Sequence, residues 1–301
     1  MAKRATRGKY HGFVVIEKPA GVTSHDVVGA VRRMTGERRV GHAGTLDPAA
    51  VGVLPIAVGL ATRTVEYLSD SSKGYLAEIT FGVTTDSLDG DGTVSAISDT
   101  ADLSLDQIEA VLPEFRGDIL QVPPMHSAIK IDGRPLYERA RKGEQIELDA
   151  RDVTIHALEI VRWEHPVLEI YVYCSKGTYV RSLARDIGDA VGTGAYMSNL
   201  VRVSTGPFSL DDAWNLEELP ELIENGYWED IAAHPDTALS DRPVVILNEE
   251  NATRWRNGSS VAAQVPTGLV RVYDVLGNWL GVGAGDPETG VVKPEKVVTE
   301  Q

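Results

Sequence analysis

The chain of 301 residues is 43% hydrophobic and carries a formal net charge of -15. This length suits one large domain and one small one, and this composition excludes wholesale disorder. No stretch is long and apolar enough for a signal peptide or a membrane span, and the single cysteine, Cys174, excludes an internal disulfide. We therefore expect a cytoplasmic protein that is not associated with a membrane.

The negative total charge is unevenly distributed along the chain. Residues 1–70 hold 10 Lys or Arg against 6 Asp or Glu, whereas residues 211–250 hold 12 acidic residues and one Arg. A local basic surface for a polyanionic partner is therefore compatible with the acidic total. Two clusters could form it, Arg32, Arg33, Arg38 and Arg39 in the first and Arg134, Arg139, Arg141 and Lys142 in the second. Solvated helix faces are the alternative explanation for both clusters.

The first predicted elements are a buried strand and an amphipathic helix. The apolar run Gly12–Glu17 predicts the strand, and the Lys-Pro-Ala-Gly sequence after it predicts a turn. Ser24 is the predicted N-cap of the helix, and Gly36 is predicted to close its C-terminus. Valines at positions 27, 28 and 31 recur at helical spacing between these two residues.

A glycine-rich loop, residues 41–48, follows this helix. Its two glycines allow backbone angles that other residues avoid, and Pro48 biases Asp47 towards an extended conformation. The loop would present the Asp47 carboxylate, with His42 five residues before it, at the mouth of a buried strand that begins near Val53. An ordinary Asp-Pro turn explains the same residues, and local chemistry alone favours that simpler interpretation.

In the middle of the chain, segments in which apolar and polar residues alternate are separated by polar loops. Tyr75–Phe81 predicts a strand with its odd-numbered residues on one apolar face. The Asp-rich loop 86–92 lacks the ligand spacing of an EF-hand and predicts a hairpin turn. Ser104 and Gln107 form a capping box for a helix that would run through Leu112.

A short helix over Pro135–Lys142 and a second alternating strand, Leu168–Ser175, are predicted next. This strand would bury Cys174 as a small apolar residue. The helix after it, which starts near residue 180, places Arg181 on a polar stripe and predicts an ion pair between Arg185 and Asp189.

The sequence pattern of the C-terminal part changes near residue 242. Residues 211–240 are acidic and helical in pattern, whereas short apolar runs separated by glycine turns follow Pro243. We therefore divide the chain into a large domain, residues 1–241, and a small β domain, residues 242–301. No histidines have the spacing of a zinc site and one cysteine cannot build a thiolate site, so we expect no metal.

Five blocks of the sequence, in family order, resemble the TruB-type tRNA pseudouridine-55 synthases. They are EKPAGVTSHDVV (17–28), GHAGTLDPAAVGVLPIAVGLATR (41–63), GYLAEITFGVTTDSLDGDG (74–92), FRGDILQVPPMHSAIKIDGRPLYERARKG (115–143) and CSKGTYVRSLARDIG (174–188). The resemblance implies an α+β pseudouridine synthase fold, with a central mixed, largely antiparallel sheet flanked by helices. Residues 243–297 look like a small PUA-type β-barrel, which is an RNA-binding module.

The resemblance also implies roles for individual residues. Asp47 would be the catalytic carboxylate, and Arg181 would pair with it. Tyr75 would stack on the target uracil and take part in removing the C5 proton. The implied substrate-binding residues are His42, Tyr179, Leu200, Arg141 and Lys142: His42 would fill the space of the flipped base, Tyr179 would line the active site, Leu200 would support the base, and the last two would grip RNA.

The implied reaction is isomerisation of the T-loop uridine of tRNA to pseudouridine. A carboxylate can perform its first step without a metal or a cofactor, so none is expected, and the partner would be the tRNA T-arm. A monomer is the default oligomeric state. Two alternatives are a synthase for another RNA, which fits the same core motif, and a non-catalytic RNA-binding or RNA-folding protein that uses the C-terminal barrel.

Overall fold

The computed structural model describes residues 8–127, 130–131, 134–136, 146 and 148–298. In chain order, the strands of this part are β1 (Gly12–Lys18), β2 (Val40–His42), β3 (Val51–Val58), β4 (Lys73–Phe81), β5 (Val83–Thr85), β6 (Val94–Ile97), β7 (Gly117–Gln121), β8 (Lys130–Ile131), β9 (Arg134–Pro135), β10 (Arg151–Glu164), β11 (Val167–Cys174), β12 (Ala195–Thr205), β13 (Phe208–Ser209), β14 (Trp214–Asn215), β15 (Ala232–Ala233), β16 (Val244–Leu247), β17 (Val261–Ala262), β18 (Gly268–Asp274), β19 (Trp279–Asp286) and β20 (Val291–Val297). The α-helices are α1 (Ser24–Thr35), α2 (Val65–Ser69), α3 (Leu105–Val111), α4 (Val180–Ala190), α5 (Leu219–Glu224), α6 (Trp228–Ile231) and α7 (Glu249–Arg256). Short 3-10 helices cover Gly59–Arg63, Leu112–Phe115, Leu210–Asp212 and Pro235–Leu239.

One large mixed sheet forms the centre of the molecule. Within the described residues it has eleven strands, with the order β14-β1-β3-β12-β4-β11-β10-β7 along its main path. The pairs β1–β14 and β3–β12 are parallel, and the other pairs are antiparallel. Helices α1 and α4 pack on its apolar face, so the predicted α+β fold with a largely antiparallel mixed sheet is confirmed.

Strand β4 shows why the sheet buries one face. Tyr75, Ala77, Ile79 and Phe81 are each at most 8% exposed, while the alternate residues keep partial access to solvent. This is the alternation that the sequence predicts, and it places the side chain of Tyr75 on the face that also carries α4.

Helix α1 begins one residue earlier than the sequence predicts. Thr23, not Ser24, is the N-cap: its hydroxyl accepts the N–H of Asp26, and the Asp26 carboxylate accepts the N–H of Thr23. Ser24 is instead buried and turned towards the loop of residue 47. The predicted C-terminus is correct, because Gly36 adopts the left-handed conformation with φ of 69°.

Three other local predictions are wrong or incomplete. Arg185 pairs with Asp186 at 2.7 Å instead of Asp189. Residues 211–240 are only partly helical, because Pro220, Gly226 and Pro235 break the pattern and two short strands in this region pair with β1. The helix predicted over Pro135–Lys142 does not start at Pro135, because Arg134–Pro135 pairs as a strand with Lys130–Ile131. Leu136 is helical, and residues 137–142 lie outside the described residues.

The C-terminal module is built on a second sheet. Its five strands, counted in the described part of the chain, have the order β16-β18-β19-β20-β17, and α7 packs against them through the fully buried Trp255. Four of the strands, β16, β18, β19 and β20, lie where the sequence predicts strands, whereas β17 is not predicted. Helix α7 is not predicted either, because its apolar residues are too few to form an apolar stripe.

The large sheet and the C-terminal module are joined by a buried carboxylate. Asp236 accepts hydrogen bonds from Arg271 at 3.2 Å, from His234 at 2.5 Å and from the Tyr273 hydroxyl. Burial alone would raise the pKa of Asp236, but these donors outweigh that effect and lower the pKa to about 2.

We expect Asp236→Asn to lower the free energy of unfolding at pH 7 by about 2 kcal/mol, because the depressed pKa means that folding favours the ionised carboxylate. The stabilisation is complete above about pH 4, the ordinary carboxyl pKa, and is lost as the pH falls through about 2. Chemical denaturation of both proteins from pH 7 to pH 2 checks this. Asp241→Asn, whose side chain is 69% exposed, is the control, and an Asp236→Asn deficit that does not shrink in acid would contradict the assignment.

Candidate active site

The loop that carries Asp47 is held from behind by buried polar side chains. Ser24 donates its hydroxyl to the Leu46 carbonyl at 3.1 Å and accepts the Leu46 N–H at 2.8 Å. Lys18, fully buried at the end of β1, donates from Nζ to the Pro48 carbonyl at 3.1 Å. Both neighbours of Asp47 are therefore fixed, while 40% of its own side chain remains exposed.

Asp47 forms an ion pair with Arg181 from the first turn of α4. The Nη2 atom of Arg181 lies 3.1 Å from Oδ2 of Asp47, and the arginine side chain is only 7% exposed. Its Nη1 atom pairs with Asp89 at 3.0 Å and donates to the Ser87 carbonyl at 3.2 Å. The His126 carbonyl accepts from Nη2 at 2.8 Å. The Ser87–Asp89 turn and the His126 carbonyl thus orient the guanidinium, and this orientation directs Nη2 at Asp47.

Opposing influences set the protonation of Asp47. Burial raises its pKa, and the Arg181 guanidinium and the Lys18 ammonium oppose that rise. The carboxylates of Asp89 and Asp91 act in the same direction as burial. Asp89 therefore has two effects: it orients Arg181, and its negative charge makes Asp47 harder to ionise.

Tyr75 lies on β4, next to the strand that carries Arg202. The two residues are cross-strand neighbours in register, and both side chains are buried, at 8% and 0% exposed. Burial raises the pKa of the Tyr75 phenol, and the positive charge of Arg202 opposes that rise. The negative charge of Asp47 also raises the pKa of Tyr75, so the two predicted catalytic side chains are close enough to interact electrostatically.

Leu200 and Tyr179 flank this region from β12 and α4. Leu200 pairs with Ala77 of β4 and is 8% exposed. Tyr179 is the half-buried N-cap residue of α4, and its N–H donates to Oε1 of Gln121 at 2.8 Å. Burial raises the pKa of Tyr179, and the charge of Arg181 opposes that rise.

His42 is the last residue of β2 and precedes the Asp47 loop. Burial lowers the pKa of its imidazole, and the nearby Arg202 charge acts in the same direction. The lowered pKa favours the neutral form of the imidazole at pH 7.

Six of the eight predicted site residues lie within the described part of the chain, on the Asp47 loop or on β2, β4, β12 and α4. Asp47 and Arg181 are in direct contact, and Tyr75, Tyr179, Leu200 and His42 are on the elements that adjoin them. Arg141 and Lys142 lie outside the described residues, so their predicted role in gripping RNA stays a prediction.

Sequence reasoning missed two charged residues of the site. Asp89 belongs to the loop interpreted as a simple hairpin turn, and nothing in its spacing indicates an arginine partner in a helix 92 residues later. Arg202 lies in an alternating strand, where an arginine is ordinarily taken as solvent-exposed. Both are recognised only when the register of β4 and β12 and the position of α4 are known.

The described residues contain no candidate metal site. Among the residues that the structure describes, no group of three or more His, Cys, Asp or Glu side chains is arranged to hold a metal ion. Likewise, no helix in the described ranges is long and apolar enough to cross a membrane.

Comparison with known proteins covers nearly the whole chain. Residues 32–180 match the family model "TruB family pseudouridylate synthase (N terminal domain)". Residues 181–239 match "tRNA pseudouridylate synthase B C-terminal domain", and residues 243–298 match "Pseudouridine synthase II TruB, C-terminal". A solved structure entitled "Crystal Structure of a Cbf5-Nop10-Gar1 Complex" is similar with a TM-score of 0.76 and 27% identity, over 96% of this chain and 85% of that one.

Relatives of closely similar length are also found. A tRNA pseudouridine synthase B from Pseudomonas putida (strain GB-1) is 41% identical over 300 residues, which is 98% of each chain. Another, from Gloeobacter violaceus, is 43% identical over 288 residues, 94% of this chain and 97% of the relative. With this identity over the full length, and with the fold described above, the chain belongs to the TruB family of tRNA pseudouridine synthases.

Proposed function

We propose that the protein isomerises the T-loop uridine at position 55 of tRNA to pseudouridine, with Asp47 as the catalytic carboxylate. The observation that carries this proposal is the Asp47–Arg181 ion pair, in which a fixed loop presents a partly exposed carboxylate to a buried, oriented guanidinium. The relatives named tRNA pseudouridine synthase B support tRNA as the substrate class.

The reaction breaks the N-glycosidic bond of a uridine, rotates the freed uracil and joins it again through C5. It needs a nucleophile or an electrostatic stabiliser near C1′ or C6, and a carboxylate can serve without a metal or a cofactor. The net effect of burial is to raise the pKa of Asp47, and Arg181 opposes that rise, orients the carboxylate and favours its ionised form.

The target base must leave the folded T-loop to reach Asp47. Tyr75 and Leu200 are proposed to hold it from opposite sides, and base–aromatic stacking of this kind contributes roughly 1–3 kcal/mol. His42, neutral and planar, is proposed to fill the space that the base vacates. Tyr179, at the start of α4, is proposed to line the same site.

Recognition is proposed to rest on the shape and the backbone charge of the T-arm. Arg141 and Lys142 would contribute cations from their position between β9 and β10 in the chain. We propose that the protein acts as a monomer in the cytoplasm.

The first test replaces Asp47 by Asn, which keeps the size of the side chain and removes its charge. Tritium release from C5-labelled uridine in unmodified tRNA should fall by about three orders of magnitude, because the group acting at the reacting atoms is lost. tRNA affinity should stay within about threefold, since Asp47 is not a phosphate-binding group.

Asp91→Asn, in the exposed part of the Asp-rich loop, is the charge-matched control and should retain native release. Equal release by Asp47→Asn and the native chain would remove Asp47 from the centre of the reaction. Binding without release by either protein would favour a non-catalytic RNA-binding function instead.

The second test uses Asp89→Asn to separate the two effects of that carboxylate. Losing the 3.0 Å contact to Arg181 should lower the single-turnover rate at pH 7 by about 10–100-fold, because Arg181 is no longer held towards Asp47. At the same time the acidic limb of the pH–rate profile should move to lower pH. The sign follows from Asp89 raising the pKa of Asp47, so that neutralising Asp89 lowers it.

A pH series of single-turnover rates for the native chain, Asp89→Asn and Asp91→Asn measures both effects. A native single-turnover rate in Asp89→Asn would contradict the proposed orienting role, and an acidic limb that stays at its native pH would contradict the proposed effect of Asp89 on the pKa of Asp47.

A further inference from the structure

Arg202 is a fully buried arginine of β12, and its hydrogen bonds connect this strand to the loop of Asp47. Its Nε donates to the Val53 carbonyl at 2.7 Å, its Nη2 to the Gly44 carbonyl at 3.2 Å and its Nη1 to the Thr45 carbonyl at 3.5 Å. Carboxylates are the usual partners of a buried arginine, but none of the ion pairs among the described residues includes Arg202. This guanidinium therefore acts on the backbone of the loop and of β3.

The backbone carbonyls of residues 44–48 all accept hydrogen bonds, so the loop is held along its whole length. Arg202 donates to the first two of these carbonyls, and Ser24 donates to the third. The Ala50 N–H donates to the fourth, and Lys18 donates to the fifth. Without Arg202 the first two carbonyls would need water as their donor, which would free the half of the loop that precedes the proposed catalytic carboxylate.

The surrounding backbone is shaped to admit this side chain. Gly44 has φ of 96°, and a Cβ there would stand 3.5 Å from Nη1 of Arg202. Gly52 has φ of 101°, and a Cβ there would collide with the Arg202 carbonyl oxygen. Both φ angles favour glycine, and at Gly52 a side chain would also separate β3 from β12. The close contact between the arginine and the loop therefore depends on these two glycines.

Arg202 lies two residues after Leu200 in the same strand. Alternate residues of a strand face the same side, and both side chains are buried. The two residues pair in register with Tyr75 and Ala77 of β4. Strand β12 therefore carries both the proposed support of the uracil and the side chain that holds the Asp47 loop, so one strand sets the position of the base relative to the carboxylate.

We propose that Arg202 is a positioning residue that fixes the Asp47 carboxylate relative to the uracil, by tying the loop before that carboxylate to β12. The inference rests on the proposed function. Because Arg202 is fully buried, it acts through the loop backbone and not by contact with the RNA. A displacement of a reacting group by about 1 Å costs about 100-fold in rate, so the loss of this anchor affects the chemical step and not the binding of tRNA.

Single-turnover rates and tRNA affinities of Arg202→Lys and Arg202→Gln test the proposal. Each variant can still donate to a carbonyl, but neither has the planar fork that reaches β3 and both loop carbonyls at once. Whichever variant folds should react about 30-fold more slowly than the native chain, with its tRNA affinity within about threefold. A native rate in a folded variant, or a loss of affinity instead of rate, would overturn the proposal.

Lys73→Met is the matched control, because Lys73 is another buried cation beside Gly44 whose Nζ donates to carbonyls outside the loop, those of Ser69 and Ser71. Methionine keeps the aliphatic part of the side chain and removes the charge and the donors. We expect this variant to be less stable than the native chain but to keep its single-turnover rate within about threefold. A loss of rate as large as that of Arg202→Lys would show that any buried cation has this effect, and the proposal would fail.

The titration of Asp47 keeps the inference testable apart from activity. Its carboxyl signal in protein labelled with ¹³C-aspartate, assigned with Asp47→Asn, reports its ionisation. Arg202→Lys conserves charge and leaves in place the charged groups that act on this carboxylate, which are Arg181, Lys18, Asp89 and Asp91.

A released loop lets Asp47 move away from Arg181, whose charge lowers the pKa of Asp47, so the carboxyl signal of Arg202→Lys should titrate about one unit higher than in the native chain. The midpoint in Lys73→Met should stay within about 0.3 units of the native value. An unchanged midpoint in Arg202→Lys would overturn the inference, whereas an inactive native chain with a displaced midpoint in the variant would count against the proposed function alone.

Discussion

The ion pair between Arg181 and Asp47 connects the parts of the site that are farthest apart in the sequence. A guanidinium that is 7% exposed needs acceptors on most of its N–H groups, and those of Arg181 come from Asp47, the Ser87–Asp89 turn and the His126 carbonyl. These segments therefore have to meet at the first turn of α4. The Asp-rich loop and the segment that starts at Val122 both accept hydrogen bonds from the arginine that pairs with Asp47, the proposed catalytic carboxylate.

The loop of Asp47 is rigid for a related reason. Lys18 and Arg202, both fully buried, donate to backbone carbonyls of the loop or of the strand behind it. Leaving any of these cations without acceptors would cost several kcal/mol, so the loop conformation is coupled to the stability of the core. The net charge of the chain is -15, but part of its positive charge is buried at the site. There the cations lower the pKa values of Asp47 and Tyr75.

The sequence predicts the helices and strands that have a strong apolar periodicity. It does not predict features that depend on contacts between residues far apart in the chain. Strand β4 and helix α4 follow from their apolar patterns, and the family motif indicates Asp47, Tyr75 and Arg181. Helix α7 has too few apolar residues to be predicted, and the strands within 211–240 form because β1 offers them the edge that β3 leaves free. Asp89 and Arg202 carry no local signal, because each acquires its role from a partner on another strand or helix. Their polar side chains look solvent-exposed until the register of the sheet is known.

The central claim, that this site converts one uridine of the tRNA T-loop, is tested most directly by locating the product. Unmodified tRNA is incubated with the native chain, treated with a carbodiimide that marks pseudouridine, and read by primer extension. We predict a single new stop, at the T-loop uridine, which also appears in an isolated T-arm stem-loop. Stops at other positions, or a stop that requires a second RNA, would contradict the account.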